Sequence, residues 1–165
     1  MPDRLGELNA APYGVARAWL AACCGAARWL DAVLAARPFR SVAALHEAAE
    51  RSWRGLERAD VLEAMSHHPR IGDAARASAT EAGEQAGAAR AGDDVKARLA
   101  EGNRAYEARF GHIYLVCASG KSGAELLAIL HARLANDPET ELRVAAGEQE
   151  KITRLRLERL LQGEP

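Results

Sequence analysis

Residues 122–161 read SGAELLAILHARLANDPETELRVAAGEQEKITRLRLERLL, a stretch with room for two helices and none for a strand. The Ser122 hydroxyl can accept from the free amides of a helix that runs to Leu134. Asn136-Asp137-Pro138 stops that helix and starts the next, with Asp137 as cap and Pro138 at the first helical position, where an amide hydrogen would have no partner. Glu139 and Glu141 follow near the positive end of the helix dipole. This last helix extends to about Leu161.

Working back along the chain, the same helical punctuation recurs. Val15, Trp19, Ala22, Ala26, Trp29, Leu30 and Val33 repeat at spacings of three and four, which predicts a helix from about Pro12 to Ala36 with Asn9 as a candidate cap and Pro38 past its end. Ser41 caps a second helix to about Arg51, and a short third covers about Ala59 to Met65. Ser66-His67-His68-Pro69-Arg70-Ile71-Gly72-Asp73 then forms an ordered loop, because Pro69 pushes His68 out of the helical region and Gly72 permits a turn. Ser78-Ala79-Thr80-Glu81 has the form of a capping box before a modest helix from about Thr80 to Arg90. Asp93 and Asp94 open another helix, which carries Val95, Leu99, Tyr106 and Phe110 and stops at Gly111. The run from His112 to Ala118 is β-rich, but a lone strand has no ladder partner, so it is expected to be an extended or helical buried segment lining something. The expectation is an all-α fold: a single-domain bundle of about seven helices over residues 1–165, with no significant sheet.

Composition narrows the function classes. Hydrophobic residues reach 48%, enough to offset chain entropy and exclude intrinsic disorder. With 22 Lys+Arg against 23 Asp+Glu there is no basic excess to neutralise phosphates, so no nucleic-acid partner is expected. Apolar runs are short and broken by Arg, so no membrane span is expected either. No secretory signal is visible at Met1-Pro2-Asp3-Arg4, and three cysteines make a poor disulfide framework; a soluble cytoplasmic protein is the expectation.

Several motifs hint at chemistry. Ser119-Gly120-Lys121-Ser122-Gly123 looks like a phosphate loop, but the full pattern needs a glycine where Leu115 stands, and the string reads better as a turn with Ser122 capping a helix. His46, His67, His68, His112 and His131 have no metal-ligand spacing, so no metal site is expected. His68 stands out: the following proline stiffens its backbone, it lies on a loop, and imidazole titrates near neutrality. Arg156 shares a helical stripe with Ile152 and Leu160, together with Leu142, Ala145 and Gln149. A guanidinium on such a face either snorkels to solvent, meets an internal glutamate, or waits for an anionic ligand that its planar fork binds. Glu84-Gln85 alone is nonspecific. These residues by themselves do not name a substrate.

Taken in order, His68-Pro69-Arg70-Ile71-Gly72, Glu84-Gln85-Ala86-Gly87, Asn103-x-x-Tyr106-x-x-Arg109-Phe110-Gly111, the Ile113-to-Ala118 run and Lys151-Ile152-Thr153-Arg154-Leu155-Arg156-Leu157 resemble the 2-oxo-4-hydroxy-4-carboxy-5-ureidoimidazoline (OHCU) decarboxylase family. The resemblance spans about Leu8 to Leu161. It implies an all-α, cofactor-free enzyme, commonly a homodimer, that acts on a small ureidoimidazoline in the urate-to-allantoin route. By that resemblance His68 is the catalytic histidine; Glu84, Gln85 and Arg156 contact substrate; and Pro69 with the backbone of Tyr114, Leu115, Val116, Cys117 and Ala118 forms the pocket wall. Glu84 and Arg156 count with His68 in the catalytic set. Many members carry serine where this chain has Glu81, so a hydroxyl contact is replaced by a carboxylate that either points away or alters binding. The rival reading is a helical protein-interaction module without a pocket at His68.

Overall fold

The computed structural model describes residues 2–73 and 79–164. Ten helices and no strand are found among the described residues: α1 (Arg4–Ala10), α2 (Tyr13–Ala21), α3 (Ala27–Ala35), α4 (Val42–Arg54), α5 (Arg58–Ser66), α6 (Ala79–Glu84), α7 (Ala86–Ala89), α8 (Asp93–Phe110), α9 (Gly123–Arg133) and α10 (Pro138–Gln162). The all-α reading stands. The larger count has three causes. Asp3 caps an additional first helix by accepting from the Gly6 amide at 2.9 Å. The predicted Pro12–Ala36 helix breaks at residues 22–26, where Gly25 interrupts an otherwise continuous apolar period and the Cys23 amide turns back to the Leu20 carbonyl. The predicted Thr80–Arg90 helix breaks at Gln85, whose side chain is engaged elsewhere. Ser78, the cap expected for that helix, lies outside the described residues.

Other caps fall where the sequence put them. Ser41, Ser122 and Asp137 accept from the amides of Ala44, Glu125 and Thr140 at 3.1, 3.1 and 2.9 Å. Asn9 is a correction: it does not cap α2, which starts after Pro12, but clamps Phe39 by donating to its carbonyl and accepting from its amide, both at 2.8 Å.

The chain divides into two compact units. The first comprises Met1–Ala64 and Glu150–Pro165. Within it α2 packs on α3 and α3 on α4, burying Leu20, Trp29, Leu30, Val33, Leu45 and Trp53; the Trp29 indole donates to the Ala49 carbonyl at 3.1 Å.

The second unit is Met65–Gln149. Its core joins Leu99, Tyr106 and Phe110 of α8 to Leu126, Leu127 and Leu130 of α9, with Tyr114, Val116 and Ala118 from the segment between those helices. That segment is neither helix nor strand, which excludes the helical one of the two expected forms, and residues 114–118 are all buried. With no neighbouring strand, its backbone groups must find side-chain partners. Arg133 supplies one by donating from Nη1 to the Leu115 carbonyl at 2.6 Å. A buried guanidinium itself requires a counter-charge. Glu141, fully buried, provides it: Arg133 Nε donates to Oε1 at 2.7 Å, the Tyr106 hydroxyl donates to the same oxygen, and Asn136 donates to Oε2 at 2.9 Å. Burial pushes the Tyr106 phenol well above its usual range and its hydrogen bond to Glu141 adds to the effect, so Tyr106 stays a neutral donor.

Arg133→Met leaves Glu141 as a buried charge without its cation, and should cost about 3–5 kcal/mol in chemical denaturation. The double change with Glu141→Gln should recover much of that loss, since the orphaned charge is then gone; equal losses in both proteins would contradict this role.

Candidate functional site

The site residues of the second unit sit on three pieces of chain: the loop after α5, the α6–α7 corner and the buried extended segment. His68 follows the end of α5, and its amide donates to the Met65 carbonyl at 3.2 Å. Pro69 and the chain beyond it turn at Gly72, whose φ of +89° is readily adopted by glycine and strained for other residues. Three side chains fix this loop. The Asn103 amide donates to the Ile71 carbonyl at 3.0 Å from α8; Gln85 Oε1 accepts from the Gly72 amide at 3.0 Å; and Arg70 Nε meets Glu107 at 2.6 Å. Asn103 thus explains its place in the Asn103-x-x-Tyr106 string: one face of α8 carries both the loop clamp and the buried phenol.

The imidazole is held from α10. His68 Nε2 lies 2.6 Å from Gln149 Oε1, and Gln149 is 0% exposed while His68 is half-buried. One residue earlier, the buried Glu148 carboxylate accepts from the Cys117 amide at 3.4 Å. Lys121 Nζ donates to the Cys117 carbonyl at 2.8 Å, so both backbone groups of Cys117 are held by side chains. The lysine is therefore engaged with its own chain and Ser122 caps α9, in keeping with the turn-and-cap reading of Gly120-Lys121-Ser122. Gly87 has a different task. A Cβ there would stand 1.8 Å from the Lys121 carbonyl oxygen, so only glycine lets α7 approach this turn.

Electrostatics at Cys117 bring Glu84 into the same neighbourhood. Burial raises the thiol's pKa, Lys121 opposes, and the carboxylates of Glu148 and Glu84 raise it further. Glu81 and Glu84 on α6, and Gln85 beyond it, are all half-buried. His67 is exposed. The structure thus gathers His68, Pro69 and Gln85 on one clamped loop and corner, and relates Glu84 to the extended segment. Arg156 belongs to the first unit, where its Nη1 donates to the Ala22 carbonyl at 3.2 Å. There burial lifts the Cys24 thiol to about 11, against the opposing pull of hydrogen bonds from Ala26 and Thr153 and of the Arg156 charge. Among the described residues no group of three His, Cys, Asp or Glu side chains could hold a metal ion, and no helix is long and apolar enough to cross a membrane.

Three residues with work to do in this unit were not among the expected site residues. Glu148 gave no signal and Asn103 none beyond its motif, because their partners lie 31 and 32 positions away. Gln149 did give one, as a polar residue on the apolar stripe of the last helix.

Comparison with known proteins follows the same residues. The family model described as OHCU decarboxylase matches residues 9–158. The chain is 36% identical over 147 residues to the uric acid degradation bifunctional protein TTL of Arabidopsis thaliana, covering 84% of this chain and 45% of that protein. It is 40% identical over 77 residues to the 2-oxo-4-hydroxy-4-carboxy-5-ureidoimidazoline decarboxylase of Mus musculus, covering 47% of this chain and 43% of that one. The chain therefore spans less than half the length of these curated relatives. Among solved structures, an OHCU decarboxylase crystallised in the presence of (S)-allantoin superposes with a TM-score of 0.78 at 34% identity, covering 88% of this chain and 98% of that one.

Burial of all three cysteines gives a check on the enclosure of both units. At pH 8 an aromatic disulfide reagent should find no fast-reacting thiol in the native protein and three after unfolding. A fast native thiol at Cys117 would contradict the enclosure of the extended segment.

Proposed function

Because the chain belongs to the OHCU decarboxylase family, we propose that it removes carbon dioxide from 2-oxo-4-hydroxy-4-carboxy-5-ureidoimidazoline and forms (S)-allantoin, the compound present with the similar decarboxylase structure. Residues 1–165 act in this reading as one catalytic domain, which the family match running through both units supports.

The observation that carries the reading is the hold on His68: an imidazole bonded to a buried amide, on a loop clamped by Gln85, Asn103 and the Arg70–Glu107 pair. The substrate's carboxylate sits on a ring carbon that also bears a hydroxyl. As carbon dioxide leaves, the bonding pair passes into the neighbouring imine, so the ring itself is the electron sink and no added cofactor is required. The ring nitrogen takes a proton from solvent. The resulting enol then loses its hydroxyl proton and gains one on the ureide-bearing carbon, which leaves a carbonyl. One proton is consumed per anion and the histidine ends as it began. His68 accepts the hydroxyl proton and returns a proton to one face of that carbon, which makes the product a single enantiomer.

The other residues act on binding and charge. Arg156 grips an anionic or carbonyl edge with its planar fork. Glu84 and Gln85 orient the ureide, and Pro69 with the backbone of Tyr114, Leu115, Val116, Cys117 and Ala118 walls the pocket, its fixed amides stabilising enolate-like charge. Glu81, standing where many relatives carry serine, modulates ureide binding from α6. A cytoplasmic homodimer completes the proposal; the cytoplasmic part is supported by three cysteines free of disulfides, the dimer by the family resemblance alone.

Freshly generated urate-oxidation product, followed by optical rotation, tests the reading. His68→Asn should lower kcat by roughly 10²-fold or more with the helical spectrum intact, since general acid–base catalysis supplies at least that much. Arg156→Lys should raise KM about tenfold or more, the worth of a lost charged hydrogen bond. An unchanged rate in the first variant removes His68 from the mechanism, and unchanged binding in the second makes the arginine structural.

A further inference from the structure

Gln149 is fully buried within a 25-residue helix, and its carbonyl oxygen meets His68 Nε2 at 2.6 Å. An amide oxygen can only accept a hydrogen bond, and a neutral imidazole carries one N–H and one lone pair. The contact therefore places the proton on Nε2 and the lone pair on Nδ1. Moving Gln149 out of reach of the ring would mean shifting α10. The same turn of helix is tied down by Glu148, which accepts from the Cys117 amide one residue before Gln149.

We propose that Gln149 is a positioning residue that fixes His68 as the Nε2–H tautomer, so that proton exchange with substrate runs through Nδ1. The inference rests on the reading that His68 exchanges protons with substrate, and it names the atom and the residue that selects it. The choice of a neutral amide has a chemical consequence. A carboxylate at this position would stabilise the imidazolium and slow the return of its proton, whereas the amide orients the ring without adding charge. A reaction that takes a proton from a hydroxyl and gives one to carbon needs a ring that passes easily in both directions. Nδ1 is protonated by the hydroxyl, its N–H then breaks to form the new C–H bond, and Nε2–H stays on Gln149 throughout.

The test uses the full chain labelled with ¹⁵N in histidine, with the His68 ring assigned by its loss in His68→Asn. Long-range ¹H–¹⁵N spectra at a pH where the ring is neutral should show Nε2 protonated and Nδ1 bare. Gln149→Met keeps volume but removes the acceptor; its His68 ring should become a mixture of tautomers, with kcat reduced roughly 10²-fold and KM within about threefold. A neutral wild-type ring protonated on Nδ1 overturns the proposal, as does a folded Gln149→Met protein with wild-type kcat. The wild-type spectrum decides the question even if Gln149→Met does not fold. Because the spectrum is independent of turnover, failure to decarboxylate would remove the functional reading and a wrong tautomer would remove this one.

Discussion

A buried run of backbone that is neither helix nor strand needs hydrogen-bond partners from elsewhere, and the second unit is organised around supplying them. Among the described residues no strand lies beside 114–118; the Lys121 amide donates to the Ala118 carbonyl at 3.0 Å, and side chains supply other partners that a ladder would otherwise give. Arg133 holds the Leu115 carbonyl, Lys121 the Cys117 carbonyl, Glu148 the Cys117 amide, and the Tyr114 hydroxyl reaches back to the Leu126 carbonyl at 2.9 Å. Each partner has requirements of its own. Arg133 can be buried only because Glu141 is, and Glu141 is satisfied in turn by Tyr106 and Asn136. The polar network and the apolar core are therefore one construction: Tyr106 and Tyr114 belong to both.

For the proposed reaction this arrangement would have a consequence. A segment held by side chains rather than by a sheet keeps backbone groups in fixed directions in a buried setting, where oriented dipoles act most strongly on developing charge. Consecutive residues of α10 divide the labour, Glu148 on the segment and Gln149 on the imidazole. Asn103 and Gln85 hold the loop that carries the imidazole from α8 and from the α6–α7 corner. Groups that would meet a reacting molecule are thus supported by partners anchored in helices, which keeps them in position before any ligand arrives.

Much of this was legible in the sequence wherever the cause is local. Ser41, Ser122 and Asp137 cap because a short polar side chain reaches the amide of the residue three further on, and three residues suffice to see it. That residues 113–118 would be buried without forming a sheet was legible from an apolar run with no partner strand, whereas the choice between an extended and a helical form was not. The break at residues 22–26 was hidden because Cys23, Cys24 and Ala26 keep the apolar pattern going while the chain turns. Asn9 was misread for a related reason: a residue suited to capping found a better pair of partners 30 positions away at Phe39. Of the candidate residues, His68 is conspicuous in the sequence through Pro69 and Arg156 through its place on an apolar stripe. Among the supports only Gln149 shows in the sequence, as a polar residue on an apolar stripe; Asn103 and Glu148 gain their meaning from partners 32 and 31 positions away.

Amide-resolved NMR during titration of the full chain with (S)-allantoin tests the account most directly. Signals from the Leu115–Ala118 amides and from the His68 ring should move together and saturate at one common midpoint. Movement confined to other parts of the chain, or none at all at concentrations that saturate an OHCU decarboxylase, would contradict it.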